Sequence, residues 1–164
     1  QIAVVGDSRN IDKIKEVNSK IFDFILTDPP YANMMSRLRT GGSRNNKGVG
    51  ISTPFTDNEK DLGNISYEEF LPEFRQIMEK STIFLKNKGY VAIFCKDMQP
   101  NKNHHNMLHA DIVAELSKIP NLQFKGYKIW YDKTINLYPY GYPFSFVANQ
   151  LHQYILIFRK EDKK

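Results

Sequence analysis

"FDFILTDPPY", residues 22–31, is an apolar run that stops abruptly at an acid, two prolines and a tyrosine. Together with Ile21, the run is apolar on both faces, which predicts a strand buried between helix layers rather than one with a solvated side. The stop is as informative as the run. Each proline fixes its own φ and pushes the residue before it into an extended conformation, so Asp28 and Pro29 retain little freedom. Pro30 has no amide hydrogen with which to occupy the Pro29 carbonyl. A carboxylate and a free carbonyl are thus aimed at one point, two acceptors that suit an NH2 group with two hydrogens to give. Tyr31 adds a flat face, and stacking a base on such a ring contributes ~1–3 kcal/mol.

Outward from this stretch, strand and helix patterns alternate. "IAVVGD" (2–7) is a β-branched run ended at Gly6, and "SRNIDKIKEVN" (8–18) carries Ile11, Ile14 and Val17 at helical spacing. In "SYEEFLPEFRQIMEKSTIFLKNKG" (66–89), Ser66 and Glu69 form a capping box, Phe70, Phe74, Ile77, Met78 and Leu85 share one face, and Gly89 is the stop. Pro72 removes a backbone hydrogen bond beyond the first turn, which places the start of the regular helix near that residue. "YVAIFCKD" (90–97) predicts a second buried strand, "HADIVAELSKI" (109–119) a helix, "FKGYKIWYDKT" (124–134) a strand and "HQYILIFRK" (152–160) a last strand. The pattern implies a mostly parallel α/β sheet with helices on both faces. The last two strands leave no room for a helix between them, so one antiparallel member is expected near an edge. Asp28 to Tyr31 then sit at the carboxyl end of a central strand, where open α/β sheets hold their ligands.

Residues 32–64 lose all periodicity and read as one long flexible loop, with Arg37, Arg39, Arg44 and Lys47 and no acid in "ANMMSRLRTGGSRNNKGVG". A basic loop directly after the acceptor pair suits contact with a polyanion, and a plain solvated loop is its alternative. The whole chain, 164 residues with a formal charge of +5, has the length of one domain. A single cysteine, Cys95, excludes a disulfide framework and fits a reducing cytoplasm. No apolar run nears the roughly 18 residues of a membrane span. His104, His105 and His109 have no carboxylate or thiol set around them, so a surface loop and helix start explains them better than a metal site. Trp130, Tyr138, Tyr140, Tyr142 and Phe144 are open to two readings, a base pocket or aromatic packing at the end of the sheet.

With its DPPY at Asp28 to Tyr31, "GD" about twenty residues earlier, and "GYVAIFCKD", "LHADIVAEL", "YKIWYDKT" and "HQYILIFRK" following in order, the chain resembles the S-adenosylmethionine-dependent DNA amino-methyltransferases. These enzymes methylate N6 of adenine or N4 of cytosine, and the resemblance covers nearly everything except the long loop. It implies a Rossmann-like methyltransferase sheet, S-adenosylmethionine as cofactor and DNA as partner. A restriction enzyme is a companion that such enzymes can have. In site residues it implies that Asp28 and the Pro29 carbonyl, held by Pro30, accept hydrogen bonds from the target amine. Tyr31 stacks on a base flipped from the duplex. Asp7 approaches the cofactor adenine, with Ser8 a weaker candidate; a helix N-cap is the equal alternative for Asp7. A leading Asp in the motif favours adenine over cytosine. An RNA or protein amine as acceptor, and a non-catalytic nucleic-acid-binding fragment, are the alternatives.

Two departures matter. The glycine-rich cofactor loop of the family, of the type Phe-x-Gly-x-Gly, is absent, as is the acid expected at the cofactor ribose, and "HQY" replaces a common "HEY". The expectation is therefore a partial catalytic domain over 1–164, with an incomplete sheet whose missing strands are supplied upstream, and little activity on its own.

Overall fold

The computed structural model describes residues 2–32, 56–97, 107–134 and 150–162. After a 3-10 helix at Ser8–Lys13 and a single α-turn, α1 (Lys15–Asn18), come β1 (Phe22–Thr27), α2 (Tyr67–Ile83), β2 (Leu85–Cys95), α3 (Leu108–Leu116), β3 (Leu122–Tyr131) and β4 (His152–Lys160). The four strands form one sheet in the order β1-β2-β4-β3. β1 and β2 run parallel, while β4 lies antiparallel to both β2 and β3. Three strands thus point one way and β4 alone is reversed, one place in from the edge. That is the mixed α/β sheet anticipated from the two closely spaced final strands.

One face of this sheet carries the core. Val91, Ile93 and Cys95 of β2 pair with Phe158, Leu156 and Tyr154 of β4, and Ile25 of β1 lies opposite Val91. Against this row pack Phe70, Phe74 and Met78 of α2 and Leu108, Ile112 and Leu116 of α3 in one buried cluster. α2 forms because its apolar positions recur at helical spacing and its first turn is closed at both ends. The Ser66 hydroxyl accepts from the Glu69 amide, and the Glu69 carboxylate accepts from the Ser66 amide. The helix starts at Tyr67 and runs through Pro72, not from it. The capping box and the buried stripe offset the one backbone bond that Pro72 cannot make, which costs ~3 kcal/mol in a helix interior.

At its other end α2 stops at Ile83, six residues before the glycine expected to end it. Lys160 explains part of this: its buried ammonium donates to the carbonyls of Thr82 (3.0 Å) and Leu85 (2.8 Å), among the last carbonyls of the helix and the first of β2. Leu85 already pairs with Phe22, and the chain then bulges before Tyr90 pairs with Phe24. Lys88 enters the left-handed region (φ 66°) in that bulge. Gly89 is required there by contact, since a Cβ would lie 2.8 Å from Leu85 Cδ1 and 2.9 Å from the Lys86 carbonyl.

Three further sequence expectations are corrected. "IAVVGD" forms no strand: residues 2–7 belong to no ladder, with Ile2, Val4 and Val5 exposed. A strand exists only through a neighbour that takes its hydrogen bonds, and no such neighbour stands beside it among the described residues. Nor is the sheet covered by helices on both faces among the described residues. Phe24 and Leu26 of β1, Tyr90 of β2 and Trp130 of β3 point away from the helices and are 52%, 61%, 42% and 53% exposed. Among the described residues β1 is also an edge strand, not a central one.

Candidate active site

The parallel pairing of β1 with β2 decides what surrounds Asp28. Thr27 lies opposite Ile93, so the chain leaves β1 level with Phe94. There Asp28 is exposed, Pro29 buried and Pro30 half-buried, an acid held at the surface by a proline seated in the protein. Among the described residues no hydrogen bond reaches the Pro29 carbonyl. Pro30 is backed by a turn at Asp61–Asn64, in which the Asp61 carboxylate accepts from the Gly63 amide (2.7 Å). A Cβ on Gly63 would stand 3.3 Å from that of Pro30, so glycine permits the close approach. This turn belongs to the segment expected to be loop. It carries no regular element, yet Leu62 and Ile65 pack against the core.

Tyr31 is placed differently from an open platform. It is 6% exposed and part of the buried cluster. Its hydroxyl lies 3.0 Å from Asp28 Oδ1 and 3.3 Å from the Phe94 carbonyl. Burial, and then the negative charge of Asp28, push the phenol well above its usual range, so it remains a donor. The following residue, Ala32, is fully buried and takes a left-handed φ of 37°, a conformation that costs a non-glycine residue ~1–2 kcal/mol.

Beside this corner lies a second set of polar groups, of which sequence reasoning singled out only His109 and expected no carboxylate around it; the structure sets Asp97 against its ring. Asp97, just past β2, accepts from the His109 amide at 3.0 Å and faces His109 Nδ1 at 2.7 Å and 2.8 Å. It caps α3 from another element, because the residue preceding that helix, Met107, provides no side-chain cap. The His109 ring stacks on Tyr154 at 4.0 Å with 10° between planes. Tyr67 at the start of α2 donates to Asp111 at 2.5 Å, tying the two helices together. Burial, with Asp97 and Asp28 nearby, pushes the Cys95 thiol up to about 12 and leaves it an inert core group. The signal for Asp97 was its place at the end of a strand parallel to β1; a distant capping partner has no sequence spacing.

Asp7 and Ser8 stand apart from this corner in the hydrogen-bond pattern. Asp7 is the N-cap of the 3-10 helix, accepting from the Arg9 amide at 2.9 Å, and its other oxygen lies 3.5 Å from the Arg9 guanidinium. Arg9 continues to Glu73 of α2 (3.7 Å) and to the Lys60 carbonyl, and a polar cleft opens between these residues and Lys80. The capping alternative for Asp7 is thus observed. Arg37, Arg39, Arg44 and Lys47 lie outside the described residues, as do Tyr138, Tyr140, Tyr142, Phe144, His104 and His105. No group of three or more His, Cys, Asp or Glu side chains is gathered for a metal among the described residues, and no helix there is long and apolar enough to cross a membrane.

The mixed α/β sheet, partial among the described residues, has a methyltransferase-like fold. A family model described as DNA methylase, for N6 and N4 methylation, matches residues 22–164, and the chain belongs to that family. Among solved structures it is similar to a Thermus thermophilus protein assigned as a DNA modification methylase. The identity is 23% and the TM-score 0.58, over 96% of this chain and 52% of that one. The same protein complexed with S-adenosyl-L-methionine aligns with a TM-score of 0.60 at 21% identity, over 98% and 55% of the two chains. The complex of M1.HpyAVI with the same cofactor aligns at 0.51 and 15%, over 95% and 53%. The chain therefore spans about half the length of the structures it resembles. No curated relative matches it.

Proposed function

We propose that this chain is the catalytic-loop half of an S-adenosylmethionine-dependent DNA amino-methyltransferase, acting on adenine N6 in preference to cytosine N4. The observation that carries the proposal is the exposed Asp28 carboxylate next to a Pro29 carbonyl that accepts no hydrogen bond among the described residues, with Pro30 after it, in a chain of the DNA methylase family. In this reading the two acceptors take the hydrogens of the target amine and hold its nitrogen lone pair out of conjugation. Positioning and electrostatics then carry the reaction, with no covalent enzyme intermediate. Stacking of a flipped base on Tyr31 requires one face of that ring to be uncovered when DNA binds, while its other face and its hydroxyl keep their contacts. Arg37, Arg39, Arg44 and Lys47 would meet phosphates next to the site.

The cofactor, when bound, supplies the methyl group. The residues present fit it only in part. Asp7 and Ser8 offer one carboxylate and the start of a short helix, and the Asp7 carboxylate is already engaged by Arg9. No glycine-rich cradle is present in the sequence. The remaining half of the enzyme is proposed to pair with the edge of β1 that has no partner among the described residues and with the "IAVVGD" segment and to cover Phe24, Leu26 and Tyr90, completing both sheet and cofactor site. A restriction enzyme is a further candidate partner.

The test is methylation of plasmid DNA by the full-length protein with S-adenosylmethionine, followed by mapping of the modified base. Methyl on adenine N6, abolished by Asp28→Ala, is the expected result. Methyl on cytosine N4 overturns the adenine preference. Methyl only on RNA or protein, or near wild-type rates in Asp28→Ala, overturns the reading itself.

A further inference from the structure

We propose that the Tyr31 hydroxyl is the positioning group of the active site, holding Asp28 by Oδ1 so that Oδ2 is left as the acceptor for the amine. The inference rests on the reading of Asp28 as amine acceptor and assigns Tyr31 a task separate from any stacking by its ring.

Asp28 is exposed just past the end of β1, an edge strand among the described residues, and its carboxylate can rotate about two torsions. Prolines fix its backbone and leave those torsions untouched. The Tyr31 hydroxyl, 3.0 Å from Oδ1, is the only side-chain hydrogen bond to Asp28 among the described residues. A phenol has one proton, and the two acceptors within reach are this carboxylate and the Phe94 carbonyl at 3.3 Å. The nearer, charged acceptor takes it, since hydrogen bonds to ionised groups are the stronger ones. The Phe94 carbonyl, on the neighbouring strand, then limits how far the hydroxyl can drift.

The hydroxyl is preorganised by packing. The Tyr31 ring lies in the buried cluster, and the chain on its far side is pinned at the fully buried Ala32. A rigid aromatic thus carries its donor to a fixed point over a carboxylate that would otherwise swing. A carboxylate has room for the arrangement: one oxygen receives the phenol, and the other keeps its lone pairs for the amine. If Asp28 turned, the two acceptors of the clamp would no longer converge on one nitrogen.

The experiment is Tyr31→Phe in the full-length enzyme, which keeps the ring and removes only the hydroxyl. Single-turnover methyl transfer is expected to fall ~10- to 100-fold, the cost of a small misplacement of a reacting group. KM for DNA, and the fluorescence of 2-aminopurine at the target position, should stay within about twofold of wild type, because ring and base binding are intact. An unchanged rate overturns the proposal. So does a fall in rate matched by equal losses in KM and 2-aminopurine signal, which would assign the hydroxyl to base binding. If wild-type enzyme transfers no methyl to DNA, it is the functional reading that fails. The positional claim is then tested by the carboxyl 13C resonance of Asp28, which must move in Tyr31→Phe; an unmoved resonance overturns it.

Discussion

Replacing Asp97 with alanine tests how the strand end next to the candidate site is tied to helix α3. In the structure one carboxylate does two jobs. It accepts from the His109 amide at 3.0 Å and from His109 Nδ1 at 2.7 Å, with the two side chains only 10% and 17% exposed. Loss of a cap to a helix amide costs ~1 kcal/mol, and loss of a hydrogen bond to a charged group ~1.5 kcal/mol or more. The sum is about 2.5 kcal/mol, opposed by little, since no side chain at Met107 can take over the cap. The suitable assay is amide hydrogen exchange in the full-length protein, resolved by peptide, because it reports the opening of α3 separately from the rest. At ~1.4 kcal/mol per tenfold, exchange across Leu108–Leu116 should accelerate roughly 50- to 100-fold, with α2 changing far less. Asp97→Asn keeps an acceptor and should recover part of the protection. If α3 exchanges at wild-type rates in a folded Asp97→Ala protein, the carboxylate does not hold the helix and the reasoning fails.

Two further outcomes follow from the same geometry. Gly63→Ala inserts a Cβ 3.1 Å from the Asp61 carboxylate and 3.3 Å from Pro30 Cβ, so Pro30 or the turn must yield. Methyl transfer should drop ~10-fold or more while the protein stays folded, and a wild-type rate would show that Pro30 is not braced from this side. Hydrogen bonds from the Ser66 side chain and backbone hold the Glu69 carboxyl below its usual range of about 4.5. A depressed folded-state value gives stability that is present above about 4.5 and lost as the pH falls below it. The Tm difference between wild type and Glu69→Gln should therefore be seen at neutral pH and close in acid; a gap independent of pH would refute the capping role.

The sequence made the candidate corner at Asp28–Tyr31 legible because its constraints are local. Two consecutive prolines restrict Asp28 and Pro29 wherever the chain is placed, and the alternation around them predicted β2, α3, β3 and β4. Pro72 misled about the start of α2, since a capping box and a buried stripe together outweigh one missing hydrogen bond.

What sequence alone determined were features that act over a few residues: the proline restriction on Asp28 and Pro29, the capping box and apolar stripe of α2, and the presence of one antiparallel strand near the end of the chain. Tertiary structure decided everything that depends on a neighbour. "IAVVGD" has the composition of a strand, but its residues join no ladder. β1 is apolar on both faces, but its outer face stands uncovered among the described residues. Tyr31 reads as a flat wall, yet parallel pairing with β2 brings its hydroxyl to Asp28 and Phe94. Local backbone preference can be read residue by residue, whereas hydrogen bonds and burial belong to pairs of segments, and only the folded chain says which segments meet.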